Sequence, residues 1–227
     1  MQRGALTRPK EEEIGDLTNK LDTLRARRRE NAGWDAAYLQ ILDTLHRDGF
    51  YEGILQEGAA FPDFMLPNAA GKLVTLHERL ADGPVVLGFF RGTWCPFCKL
   101  MLEGLAEAMP RIQAQGAALL ALTPETGAEP AALQARHGGR FEVLCDVDFG
   151  VGLQAGVVYK IPPLYRANLL SSRLDLALRQ GNTAWCLPVP SIFLIRQDGR
   201  IAKRFVDIDF TKWPEPDQIV AALAGLR

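Results

Sequence analysis

Two hydrophobic periods divide this chain. Through its first quarter apolar residues recur every three or four positions. Ile14, Leu17, Leu21 and Leu24 follow a 3-4-3 spacing among charges of both signs, and Trp34, Tyr38, Ile41, Leu42 and Leu45 form a second stripe. This is the period of α-helices with one buried face. The first stripe is a heptad seam, but its next two positions are Arg28 and Asn31. It therefore stops short of the roughly three to four heptads of a sustained coiled coil. It reads as a solvated helix with one apolar stripe; the alternative is a helix that pairs two copies in a homodimer.

Beyond residue 50 the texture changes. "FPDFMLPNAAGKLVTL" suits irregular chain followed by a short strand. "PVVLGFF" (84–90) is an unbroken apolar run, as in a strand buried on both faces. A helical stretch follows at 96–114, a second buried run at 117–123, a helix at 128–136, a strand at 141–145 and helical sequence at 164–180. "SIFLIRQDGRIAKRFVD" is two strand-like runs about an Asp198-Gly199 turn, a hairpin signal. "PEPDQIVAALAGL" opens a helix with prolines and acids in its first turn, where both are favoured. The order predicts an α/β fold: a mixed central sheet flanked by helices, with an N-terminal helical extension (1–55) ahead of one domain (56–227). Gly150, Gly152 and Gly156 approach a dinucleotide fingerprint, but the last spacing is one residue too long and no buried strand leads into it.

Composition narrows the function. A formal charge of -1 gives no electrostatic reason to expect nucleic acid or an anionic membrane as partner. "RARRRE" is flanked by acids and reads as a solvated face. The longest apolar runs are too short to span a bilayer, and "MQRGALTRPKEEEIG" has no apolar leader segment. A cytoplasmic location is expected. Thiols are mostly kept reduced there, so a disulfide would be transient.

The chemistry centres on "RGTWCPFCKL". Zinc would need a second ligand pair, but Cys145 and Cys186 stand apart and His46, His77 and His137 show no ligand spacing. Haem attachment would need His where Lys99 stands. No metal or cofactor is expected. Pro96 fits the first helical position, which makes Cys95 the N-cap. Unpaired N–H groups and the helix dipole there favour a thiolate. Cys98, one turn on, belongs to the core-facing stripe with Met101, Leu102, Leu105 and Met109. An exposed, activated Cys95 and a covered Cys98 are what reversible disulfide chemistry requires. Cys145 and Cys186 read as structural, Cys145 as a buried small hydrophobe.

At these residues the chain resembles a family. The order of elements and "FFRGTWCPFC" are similar to the thioredoxin-fold superfamily. "AFPDFMLPNAAGKLVTL", "GPVVLGFFRGTWCPFCKLMLEGL" and "LPVPSIFLIRQDGRI" are similar to segments of its peroxiredoxin-like AhpC/TSA branch (alkyl hydroperoxide reductase/thiol-specific antioxidant). The resemblance spans about residues 57–227. It implies a thioredoxin-like fold, with a cis-proline at Pro190 turning the Val189 backbone toward a substrate as a docking edge. Trp94 and Arg91 would flank that substrate.

The site departs from the family. The peroxiredoxin motif Pro-x-x-x-Thr/Ser-x-x-Cys, laid on without gaps, puts the peroxidatic cysteine at Cys98, Cys95 at the threonine position and Arg91 at the proline position. Arg91, Thr93 and helix-start N–H groups would only partly replace that pocket. The expected function is therefore a thiol-disulfide oxidoreductase: Cys95 attacks, Cys98 resolves, protein disulfides react faster than peroxides, and an external dithiol supplies electrons. The alternatives are a thiol peroxidase using the same pair through a sulfenic acid, and a non-catalytic binding module working through the N-terminal helices. Deleting residues 1–31 is expected to leave the dithiol chemistry in place.

Overall fold

A computed structural model describes residues 16–226, so Ile14 of the seam lies outside the described residues. The described residues open with α1 (Asp16–Glu30) and α2 (Ala32–Arg47). They are separated at Asn31, whose side chain accepts the Trp34 N–H and caps α2. Strands β1 (Met65–Pro67) and β2 (Leu73–Thr75) form a small antiparallel pair followed by α3 (Leu76–Asp82). Then come β3 (Val85–Phe89), α4 (Pro96–Ala114), β4 (Ala118–Thr123), α5 (Glu129–Arg136) and β5 (Glu142–Cys145). After α6 (Gly150–Gln154), β6 (Val158–Lys160), α7 (Pro163–Ser171), α8 (Leu176–Gln180) and β7 (Cys186–Pro188), the hairpin β8 (Ser191–Ile195) and β9 (Ile201–Val206) leads to α9 (Pro216–Ala224).

The central sheet has strand order β5-β4-β3-β8-β9. The helical crossovers make β3, β4 and β5 parallel, and β8 and β9 run antiparallel to their neighbours. Strand side chains alternate between faces. Val86, Leu119, Ala121, Ile192 and Leu194 join the layer with α4, α9 and the N-terminal helices. Val85, Leu87, Leu120, Leu122 and Phe193 join the layer of β1, β2 and α3. All five residues of β3 are buried, as an unbroken apolar run requires.

Helix α4 runs through Pro110, which cannot donate to the Ala106 carbonyl one turn earlier. Arg140 fills the gap: its Nη1 donates to that carbonyl at 3.0 Å.

Three expectations change, and one strand pair was not foreseen. The seam is used within the chain: Leu17 and Leu21 are buried in its own core, with α1 packed on α4. The face that would pair two copies is thus already covered. "RARRRE" is also more than a solvated face. Arg25 donates to the Thr211 hydroxyl (3.2 Å) and carbonyl (2.8 Å), and Arg28 lies 3.5 Å over the Tyr38 ring and pairs with Asp35. The 164–180 stretch divides into α7 and α8 around Arg173, whose φ of 59° is left-handed. Finally, β6 and β7 pair with each other, three residues a side, too short to show a period.

Candidate active site

The cysteines sit where β3 hands over to α4. Cys95 is the N-cap, with extended backbone (φ -79°, ψ 116°), and Pro96 opens the helix as expected. A turn before it closes with the Cys95 N–H donating to the Gly92 carbonyl at 3.2 Å. Gly92 has φ 138°, and a β-carbon there would lie 2.6 Å from the Trp94 indole nitrogen and 2.9 Å from the Glu125 carboxyl carbon. Only glycine fits this turn.

The same loop is clamped from the side. Glu125, fully buried beyond the end of β4, accepts the Thr93 N–H (2.5 Å) and hydroxyl (3.1 Å). Arg179 from α8 pairs with Glu125 at 2.7 Å and with Glu129 at 3.0 Å. The Thr93 hydroxyl, considered from sequence as part of a peroxide pocket, is thus committed to Glu125 and Glu129. Nothing in the sequence flagged Glu125 or Arg179; each is a single charge in an unremarkable local pattern.

Neither cysteine is exposed: Cys95 is 1% accessible and Cys98 0%. The expectation of an exposed Cys95 fails because the N-terminal helices and α7 wall in the space in front of it. What remains is a largely apolar cavity of about 440 Å³. Cys95 lines it and Cys98 does not. Trp34 and Tyr38 of α2, Tyr165 of α7 and Phe210 supply aromatic walls, while Arg27 also lines it. Trp34 and Tyr38 were legible only as one helical face, and Tyr165 and Phe210 carried no signal.

Arg91 is the decisive side chain. It is 1% exposed and lines the cavity beside Cys95 and Trp94. Its Nη2 donates to the Tyr165 hydroxyl at 2.8 Å, and its guanidinium lies 3.9 Å from the Phe210 ring centroid. No carboxylate pairs with it among the described residues, and its Nε has no hydrogen-bond partner. A buried cation without a carboxylate needs another counter-charge.

The thiols answer it. Burial alone would push the Cys95 thiol up. The Cys98 thiol, the Arg91 charge and the N–H groups of Cys98 and Phe97 outweigh burial and bring it down to about 6. Cys98 moves the other way: burial, then its hydrogen bond to Cys95 and the Cys95 charge, push it well above the ordinary thiol value. The Arg91 N–H also faces the Cys98 sulfur at 3.4 Å. The two shifts run in opposite directions and favour a Cys95 thiolate beside a Cys98 thiol at neutral pH.

Iodoacetamide reactivity follows from this. Cys95 is expected to be alkylated before Cys98, with a rate rising through a midpoint near pH 6 and reaching only about a tenth of its plateau one pH unit below it. Mass mapping of the labelled peptides across pH checks both. First labelling at Cys98 would reverse the assignment.

The docking edge is absent. Among the described residues no peptide bond is cis, so Val189 enters Pro190 through a trans bond, contrary to expectation. Val189 is fully buried, and its N–H donates to the Val157 carbonyl at 2.7 Å. The pairing of β6 with β7 continues into Val189 and occupies the backbone that was to receive a substrate.

A mixed sheet whose first long strand delivers two cysteines to a helix start defines a thioredoxin-like fold, and solved structures bear out the fold. Peroxidoxin BcpB from Mycobacterium tuberculosis is 20% identical, with a TM-score of 0.58 over 76% of this chain and 99% of its own. Peroxiredoxin Q from Xanthomonas campestris is 20% identical, with a TM-score of 0.55 over 77% of this chain and 98% of its own. A cysteine-to-serine mutant of PrxQ from Xylella fastidiosa is 16% identical, with a TM-score of 0.59 over 76% of this chain and 97% of its own. No curated protein matches the sequence significantly. Residues 58–204 match the AhpC/TSA family, and the chain belongs to it. Among the described residues no helix is long and apolar enough to cross a membrane.

Proposed function

We propose that this chain is a two-cysteine thiol peroxidase with Cys95 as its nucleophile. One observation carries the reading: Cys95 is 1% exposed yet lines a 440 Å³ cavity beside a buried arginine. Such a sulfur is open to a small molecule and closed to a protein edge. The Cys95 thiolate attacks one peroxide oxygen and the O–O bond breaks. The other oxygen leaves as hydroxide or alkoxide, its charge facing the Arg91 guanidinium, and takes a proton. Cys95 is left as a sulfenic acid. The Cys98 thiol then attacks the Cys95 sulfur, water leaves, and a Cys95–Cys98 disulfide forms. An external thiol returns the pair to the dithiol.

This reverses the order of substrates expected from sequence, because the exposed thiolate and the free Val189 edge on which disulfide exchange depended are both missing. Disulfide exchange by the same pair is the second reading, favoured by the split between the two thiols. The test compares initial rates on hydrogen peroxide, tert-butyl hydroperoxide and insulin disulfides, all driven by one dithiol. Peroxides are expected to be consumed faster. Rapid insulin reduction with peroxides untouched would replace the first reading by the second.

A further inference from the structure

Among the described residues no carboxylate pairs with Arg91, so oxidation of the pair takes away the Cys95 charge that offsets it. In the dithiol state the Cys95 thiolate offsets this 1%-exposed cation. In the disulfide state that charge is gone. Arg91 keeps neutral neighbours: the Tyr165 hydroxyl, the nearby Tyr159 hydroxyl, and the rings of Phe210, Trp94 and Tyr165 at 3.9, 5.1 and 5.2 Å. Its Nε has no acceptor, and neither does the indole N–H of Trp94, which also lines the cavity. A buried, under-compensated cation in an apolar pocket is a strong attractor for an anion small enough to enter.

We propose that the disulfide form of this cavity binds a small organic thiolate, a low-molecular-weight thiol that reduces the enzyme, held by the charge of Arg91. The proposal rests on the peroxidase cycle above for the disulfide itself. The aromatic walls favour an apolar body, and Arg27, a cavity residue without an ion-pair partner among the described residues, favours negative charge at the entrance. The bound thiolate attacks the Cys95 sulfur, the disulfide breaks, and its electron pair leaves on the Cys98 sulfur, which takes a proton. A second thiolate attacks the outer sulfur of the mixed disulfide. The symmetric disulfide of the reductant departs, and Cys95 is released as a thiolate beside Arg91. Two thiolates and one proton are consumed for each disulfide reduced. By linkage, any anion that prefers the oxidised cavity also stabilises the oxidised state.

Two measurements test it. Titration calorimetry compares phenylacetate, an unreactive anion of similar shape, on the reduced wild type and on Cys95→Ser, in which the charge is absent without any redox step. At mildly alkaline pH, phenylacetate is expected to bind Cys95→Ser at least about tenfold more tightly, while neutral phenylacetamide binds both alike. Equal affinities for phenylacetate, or equal gains for both compounds, overturn the anion site. Arg91→Met on the Cys95→Ser background should abolish the gain; should that variant not fold, the amide control carries the same information. Stopped-flow reduction of the wild-type disulfide, its formation verified by the loss of two hydrogens in mass, then compares benzyl mercaptan with a thioredoxin. A larger rate constant for thioredoxin overturns the small-thiol reductant. Failure of the disulfide to form would sink the peroxidase cycle and, with it, the reductant role, while the Cys95→Ser titration would still decide the anion site.

Discussion

Arg91→Met is expected to cut peroxide turnover near pH 7 by at least about 30-fold while leaving the fold intact. With its thiol brought down to about 6, Cys95 is mostly thiolate at that pH. Without the guanidinium, burial is opposed only by the Cys98 thiol and the helix-start N–H groups. A thiol returned to its ordinary value of about 8.5 is only a few per cent thiolate near neutrality. The loss should shrink as pH rises, because hydroxide then does what the arginine did. Any rate deficit that persists at high pH measures the contribution of Arg91 to the leaving oxygen. Stability should hold because no carboxylate is left unpaired and a buried cation is replaced by an apolar chain of similar length. The checks are kcat/KM against pH and the ultraviolet absorbance of the thiolate. A rate within threefold of wild type at neutral pH would show that the thiolate does not depend on Arg91.

Removal of residues 1–48 is expected to unfold the protein rather than trim it. Leu17, Leu21, Ala37, Tyr38, Ile41 and Leu45 are all buried in the core layer that also holds α4 and α9. At about 1.5–3 kcal/mol for each large apolar side chain, their loss is on the order of 10 kcal/mol. That is comparable with the whole stability of an ordinary domain, about 5–15 kcal/mol. The truncated chain should bind a hydrophobic dye and lose near-ultraviolet circular dichroism. A cooperative, folded truncation would support the boundary near residue 56 as that of an independent domain. The shorter deletion to residue 31 also removes Leu24, Arg27 and Arg28 from the cavity wall, so the expected indifference of the site to the extension does not follow from this geometry.

The sequence carried most of the framework and half of the site. Helix α4 was legible because Pro96 and the stripe from Cys98 to Met109 mark both its start and its buried face. The sheet was legible because β3, β4 and β8 are continuous apolar runs and Gly199 marks the hairpin turn. The thiolate bias of Cys95 followed from local position alone. What stayed hidden was tertiary. A two-heptad stripe looks the same whether it pairs with another copy or with α4. Tyr165, Phe210, Trp34 and Arg91 meet only because α2 and α7 fold over the helix start, and no spacing records that. Arg91 lies in the quoted motif itself, but its burial without a carboxylate depends on neighbours more than seventy residues away, as its Tyr165 contact shows. Val189 failed as a docking edge for a related reason: its partner Val157 belongs to a strand pair too short to see.

The thiols and their arginine stand on the strand-to-helix handover of the common fold, whereas much of the cavity wall comes from α1, α2 and α7. In evolutionary terms the two can drift at different speeds. Substitutions at Leu24, Trp34 or Leu169 can resize the entrance without touching the helix start that lowers the Cys95 proton affinity. The size of what enters and the reactivity of the sulfur are thus set largely by different side chains.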